Sequence, residues 1–155
     1  MWGSRGLSAE QRGLKEGYRS GLEEKVSAQL QQLGVDFTYE KGVLKYTPTA
    51  KATRYTPDFI LPNGIIIETK GRFVSKDRTK HKDIKSQYPQ LDIRFVFSNP
   101  NQKIGKRSKT TYAMWCDQFN FLYAGKEIPQ EWIREPLKGA RIEAIKNFLE
   151  FKGDK

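Results

Sequence analysis

The segment Leu61-Pro62-Asn63-Gly64-Ile65 limits the fold of this chain more than any other stretch. It sets a tight turn between two apolar runs, Tyr55–Leu61 and Ile65–Thr69, which read as strands. Proline suits the second position of a type I turn and asparagine the third, while glycine accepts the left-handed conformation at the fourth. Pro62, Asn63 and Gly64 then form a three-residue hairpin loop that pairs Leu61 with Ile65, Ile60 with Ile66 and Asp58 with Glu68. A two-residue Asn63-Gly64 loop would slip the register and set Asp58 opposite Thr69; Pro62 fits the first register better. Side chains alternate across a strand, so that register gathers Asp58, Glu68 and Lys70 on one face.

Two carboxylates facing each other on a sheet repel, at a cost of about 0.2–1 kcal/mol. A hard divalent cation bound by carboxylate oxygens offsets such repulsion, and Mg²⁺ commonly takes one or two protein carboxylates together with substrate phosphate. Lys70, one pleat further on, is placed to orient a water or to stabilise charge developing on a phosphate. The plainer alternative is a surface hairpin in which Lys70 forms an ion pair with Glu68.

The 155 residues suffice for one domain with its own core. Lysine and arginine number 28 against 18 aspartates and glutamates, a net charge of +10 that points to a polyanionic partner, most often nucleic acid. No apolar run approaches the roughly 18 residues of a spanning helix, so no membrane role is expected. The N-terminus lacks the apolar core of a secretory signal. One cysteine, Cys116, allows no internal disulfide and fits a reducing, cytoplasmic compartment. Its apolar, aromatic surroundings mark it as a packing residue. The single histidine, His81, excludes a histidine-rich zinc site.

Residues 1–18 read as a flexible basic arm, 19–136 as the main domain, and 137–155 as a terminal helix and tail. Leu22, Val26, Leu30 and Leu33 recur at helical spacing over about 21–33, and Gly34 stops that helix. Strands are predicted at Val35–Tyr39, Val43–Tyr46, Tyr55–Leu61, Ile65–Thr69, Leu91–Ser98 and Phe121–Ala124. Helices are predicted at Ser75–Gln87, Thr110–Phe119 and Arg141–Phe151, with one or two turns at Pro129–Arg134. That order predicts an α/β fold, a mixed sheet with helices on both faces.

Basic residues thicken after the hairpin. Arg72, Lys76, Arg78 and Lys80, then Lys103, Lys106 and Arg107 in a later loop, are the candidate DNA contacts. Aromatic residues fall in core-like strands rather than in an exposed series for stacking single-stranded bases.

At the first helix, Ser20 and Glu23 have the spacing of a capping box, which by itself assigns Glu23 to a helix cap. The segments RSGLEEKV (19–26), YTPDFILPNG (55–64) and IIIETKG (65–71) together resemble the endonuclease I family of short-tailed coliphages, within the PD-(D/E)xK nuclease superfamily. The likeness continues more loosely through LDIRFVFS (91–98) and IPQEWIREP (128–136), so it spans roughly residues 19–136.

The resemblance implies a restriction-endonuclease-like fold in an intertwined homodimer that resolves four-way (Holliday) DNA junctions. It implies Glu23, Asp58, Glu68 and Lys70 as catalytic residues. It also implies a Mg²⁺ site, open to Mn²⁺, built from Asp58, Glu68, the Thr69 backbone carbonyl and Glu23. Glu23 would complete the other subunit's site. The partner is branched double-stranded DNA, with no small-molecule cofactor. Two alternatives are a repair or restriction-type nuclease of the same fold, and a non-enzymatic basic protein that binds branched DNA.

Overall fold

Local chemistry fixes most of the elements in the computed structural model, which describes residues 21–46 and 53–150. In chain order these are α1 (Gly21–Gln32), β1 (Thr38–Tyr39), β2 (Leu44–Tyr46), β3 (Thr53–Tyr55), β4 (Phe59–Ile60) and β5 (Ile66–Lys70). Then come α2 (Ser75–Gln87), β6 (Ile93–Phe97), α3 (Tyr112–Gln118), β7 (Tyr123–Gly125), α4 (Gln130–Arg134) and α5 (Gly139–Glu150). The predicted basic arm and Ser20 of the predicted capping box lie outside the described residues.

The main sheet has five strands in the order β1-β4-β5-β6-β7. β1, β4 and β5 run antiparallel in sequence, whereas β5, β6 and β7 are parallel. Parallel neighbours need a long crossover, and α2 and α3 supply the two required. The expected mixed α/β sheet is thus present.

Two strand predictions need correction. Tyr55–Leu61 is not continuous: β3 pairs with β2 in a separate two-stranded sheet, while β4 pairs with β1 and β5. The break falls at Thr56-Pro57, where proline fixes φ and offers no N–H to a ladder. Strand Val35–Tyr39 shortens to Thr38–Tyr39. Gly34 takes φ 66°, and the N–H groups of Gly34 and Val35 bond back to Gln31 and Leu30 of α1 at 3.1 and 3.0 Å. Val35 is thereby consumed in capping the helix.

Alternation along the strands divides the core. Ile60, Ile66, Phe95 and Phe97 pack with Ile84 of α2 and Tyr112, Trp115 and Cys116 of α3. Phe59, Leu61, Ile65, Ile67 and Val96 pack with Val26 and Leu30 of α1 and Trp132 of α4. Helices therefore cover both faces, as expected. Each fully buried Ile or Phe contributes about 1.5–3 kcal/mol, so the central strands are firmly held.

The hairpin loop is itself anchored. Asn63 donates from Nδ2 to the Trp132 carbonyl at 2.8 Å and accepts from the Ile65 N–H at 3.2 Å. Gly64 sits at φ 89°, and a Cβ there would lie 3.2 Å from the Arg141 side chain. Buried Arg94 on β6 grips Asp92 and Glu135 with both ends of its guanidinium, and Arg141 reaches the same two carboxylates. These ion pairs bind the start of α5 to the start of β6 and the end of α4.

Candidate active site

The predicted register holds. Phe59 pairs with Ile67 and Ile60 with Ile66, and the Leu61 N–H donates to the Ile65 carbonyl at 2.9 Å. One step beyond the ladder the two strands exchange bonds through their carboxylates. The Asp58 N–H donates to Glu68 Oε2 at 3.0 Å. In return, Asp58 Oδ2 accepts the Thr69 N–H at 2.9 Å and the Thr69 hydroxyl at 3.0 Å. Each acid thus takes a backbone donor from the opposite strand. That reciprocal bracing is how two nearly buried carboxylates are tolerated side by side.

Glu68 is braced further by the Tyr55 hydroxyl, which donates to Oε2 at 2.7 Å. Burial, then the charge of Asp58, push the Glu68 carboxyl up to about 8, against opposing contributions from Lys70 and the Tyr55 bond. Burial and the Glu68 charge likewise hold the Tyr55 phenol well above its ordinary value.

Glu23, Glu40 and Asp58 each offer a carboxylate oxygen, and these oxygens lie within 4.8 Å of one another. Glu23 enters from the first turn of α1 and accepts the Tyr39 hydroxyl at 3.0 Å. Glu40 follows β1 at φ 47°, with its N–H on the Asp58 carbonyl at 3.1 Å. Glu23 therefore meets Asp58 within a single chain. All three donors are hard carboxylate oxygens, a set suited to Mg²⁺ or Mn²⁺ and poorly suited to a soft metal. Glu68 stands beside this trio, joined to it through the Asp58 N–H.

Lys70, half-buried at the end of β5, lies 3.6 Å from Asp77 Oδ1 rather than in the Glu68 ion pair of the plainer alternative. Asp77 is fixed in the first turn of α2 by the Val74 N–H at 3.3 Å. Across the same face, His81 of α2 is wholly buried among Tyr55, Phe95 and Phe121. Its Nε2 is 3.7 Å from Glu68 Oε1, and neither ring nitrogen makes a hydrogen bond. A buried polar group so placed costs about 1–3 kcal/mol. Burial and the charges of Lys70 and Lys80 hold the imidazole well below its ordinary value, so it is neutral.

Of the candidate DNA contacts, Arg72, Lys76, Lys103, Lys106 and Arg107 are exposed. Arg72, Lys103 and Lys106 line a shared cleft of about 500 Å³ that begins at Gly71, directly after Lys70. Arg78 and Lys80 have tasks inside the fold: Arg78 Nη1 donates to the Phe73 carbonyl at 2.6 Å, and Lys80 lies 5.4 Å over the Tyr55 ring.

Four residues of the site escaped the sequence reading: Tyr55, Glu40, Asp77 and His81. One signal was available for His81, which shares the buried stripe of α2 with Ile84 three residues on. No comparable local signal marks Glu40, which meets Glu23 and Asp58 only through the packing of α1, β1 and β4.

The phage endonuclease I family matches residues 5–152, nearly the whole chain and all of the hairpin, helix and loop just described. This chain belongs to the phage endonuclease I family. Endonuclease I of Escherichia phage T7 is 48% identical over 129 residues, covering 83% of this chain and 87% of the relative. Endodeoxyribonuclease 1 of Enterobacteria phage T3 is 47% identical over 129 residues, covering 83% and 85% respectively. Both phage relatives are named as endonucleases, and the second name specifies DNA as the polymer cut. In this chain Glu68 lies on β5, the central strand of the sheet, with Asp58 directly before the neighbouring β4, and among the described residues no helix is long and apolar enough to cross a membrane.

Proposed function

We propose that this protein is a divalent-metal-dependent DNA endonuclease that resolves four-way (Holliday) and other branched junctions as a homodimer in the host cytoplasm. The trio of buried Glu23 and Asp58 with half-buried Glu40 carries the reading. Gathering three acids in a chain of charge +10 is explained by a cation and an anionic substrate, and by little else. Glu23, Asp58, Glu68 and the Thr69 carbonyl hold Mg²⁺, for which Mn²⁺ substitutes, and Glu40 is a further carboxylate beside them. When bound, the cation polarises the phosphodiester and acidifies a water.

The protein's own part is positioning and charge stabilisation. Thr69 fixes the Asp58 carboxylate, and Tyr55 with the Asp58 N–H fixes that of Glu68. Lys70, steadied by Asp77, brings positive charge to the phosphate as negative charge grows on it. Water adds to phosphorus as the bond to the 3′ oxygen breaks, leaving a 3′-hydroxyl and a 5′-phosphate. The cleft of Arg72, Lys103 and Lys106 receives backbone phosphates, so junction shape rather than base sequence is read. Two sites related by a two-fold axis meet the requirement for paired cuts.

Incubation with a four-way junction and with linear duplex of the same sequence tests the reading. Paired cuts in the junction with Mg²⁺, none with EDTA and little cutting of the duplex are expected. Equal cutting of both substrates points instead to a repair or restriction-type nuclease. Binding of the junction with no cutting in any divalent metal points to a non-enzymatic protein.

A further inference from the structure

We infer that His81 is a positioning residue that holds the Glu68 carboxylate in its metal-binding orientation, an inference that rests on the metal-dependent reading above. His81 is 0% exposed and caged by the rings of Tyr55, Phe95 and Phe121, at 5.5, 4.9 and 6.5 Å between centroids. Neither nitrogen has a hydrogen-bond partner. An aromatic hydrocarbon would satisfy that cage better, because it would bury no polar atom. The imidazole is useful for what it presents to a polar group nearby, and Glu68 is such a group, with Oε1 at 3.7 Å from Nε2.

The two oxygens of Glu68 are treated differently. Oε2 is pinned by two donors, the Tyr55 hydroxyl at 2.7 Å and the Asp58 N–H at 3.0 Å. Oε1 faces His81 Nε2 at 3.7 Å, just beyond hydrogen-bond range. The terminal torsion of a glutamate is soft, so the carboxylate can turn about the pinned Oε2 and close the gap without moving α2 or β5. A neutral imidazole with its proton on Nε2 then donates to Oε1. It fixes the oxygen that Tyr55 does not hold and adds no charge to compete with a cation. Donors behind a ligating carboxylate typically change metal affinity or activity by 10–100-fold.

The chain contains a single histidine, so one imidazole spin system reports the geometry with no assignment problem. Long-range ¹H–¹⁵N spectra of the metal-free wild type should show a neutral ring in the Nε2–H tautomer, and saturating Mg²⁺ should shift the Nε2 resonance. A ring protonated on Nδ1, or one whose signals ignore Mg²⁺, overturns the inference without any variant having to fold. Calorimetric titration with Mn²⁺ gives the second readout. His81→Phe, which fills the cage, should melt no lower than wild type yet bind Mn²⁺ at least about tenfold more weakly. His81→Gln, which restores an amide donor, should recover affinity to within about threefold of wild type. Wild-type affinity in His81→Phe overturns the inference alone. A wild-type protein that neither binds Mn²⁺ nor cuts junctions overturns the proposed function as well.

Discussion

Replacing Glu68 by glutamine should remove a pH dependence from the stability of the metal-free protein. The folded carboxyl is pushed up to about 8 from an ordinary 4.5, by burial and then by the Asp58 charge. An acid raised on folding keeps its proton in the native state after the unfolded chain has lost it. Stability therefore falls as pH rises between these values and levels off above the folded value. His81 acts in the opposite sense, mainly below about 6.5 and fading within about one pH unit above it, where the unfolded chain holds a proton that the buried ring refuses. Tyr55 and Cys116 have folded values pushed above their ordinary 10.0 and 9.0, beyond the range of interest. The interval from about pH 6.5 to 8 thus reports mainly on Glu68, and integrating its proton binding over that interval gives a loss of about 1–2 kcal/mol. For a domain of this size that is a fall of roughly 2–8 °C in Tm. Urea unfolding in the presence of a chelator at the two pH values measures it. Glu68→Gln keeps the acceptor for Tyr55 and the Asp58 N–H but does not titrate, so its profile should be flat. Mg²⁺ at saturation should flatten the wild-type profile too, because a bound cation keeps the carboxylate ionised. Stability that rises with pH across this interval, or an equal slope in Glu68→Gln, would refute the reasoning.

Three further outcomes are expected. Asp58→Ala should lower junction cleavage by about 10³-fold or more while gel-shift binding in EDTA persists, since it removes a metal ligand but no surface cation; near-wild-type cutting would contradict the site. Asn63→Ala severs the loop's bonds to the Trp132 carbonyl and the Ile65 N–H and should cost about 1–3 kcal/mol in chemical denaturation, with a loss under about 0.5 kcal/mol contradicting the anchoring role. Lys106→Ala should weaken junction binding and reduce the slope of log affinity against log salt by about 1, whereas an unchanged slope would place Lys106 outside the interface.

The hairpin was legible because its specification is local. Pro62, Asn63 and Gly64 select a loop, the loop selects a register, and alternation then places Asp58, Glu68 and Lys70. The helix over Ser75–Gln87 and the apolar strand within Leu91–Ser98 were legible for the same reason, as periodicity with a stop. Pro57 carries the signal for the break: a proline inside an apolar run divides a strand, and here it sends the two halves to different sheets. The ladder also stops at Phe59–Ile67, so the Asp58 N–H bonds the Glu68 carboxylate and the Asp58 carboxylate accepts from Thr69, rather than the two acids merely facing each other. What remained hidden depends on how the elements pack. Glu40 meets Glu23 and Asp58 through tertiary packing, and Asp77 meets Lys70 across the β5–α2 turn. His81 looked like one polar residue in a lysine-rich helix until the fold placed it beneath Glu68.

Crystals of the protein soaked in Mn²⁺, with anomalous diffraction collected at the manganese edge, locate the cation without reference to activity. A peak within coordination distance of carboxylate oxygens of Glu23, Asp58 and Glu68, beside Glu40, is the predicted result. No peak there, or a sole peak elsewhere on the surface, would contradict the assignment of these acids as the metal centre of a DNA-cleaving site.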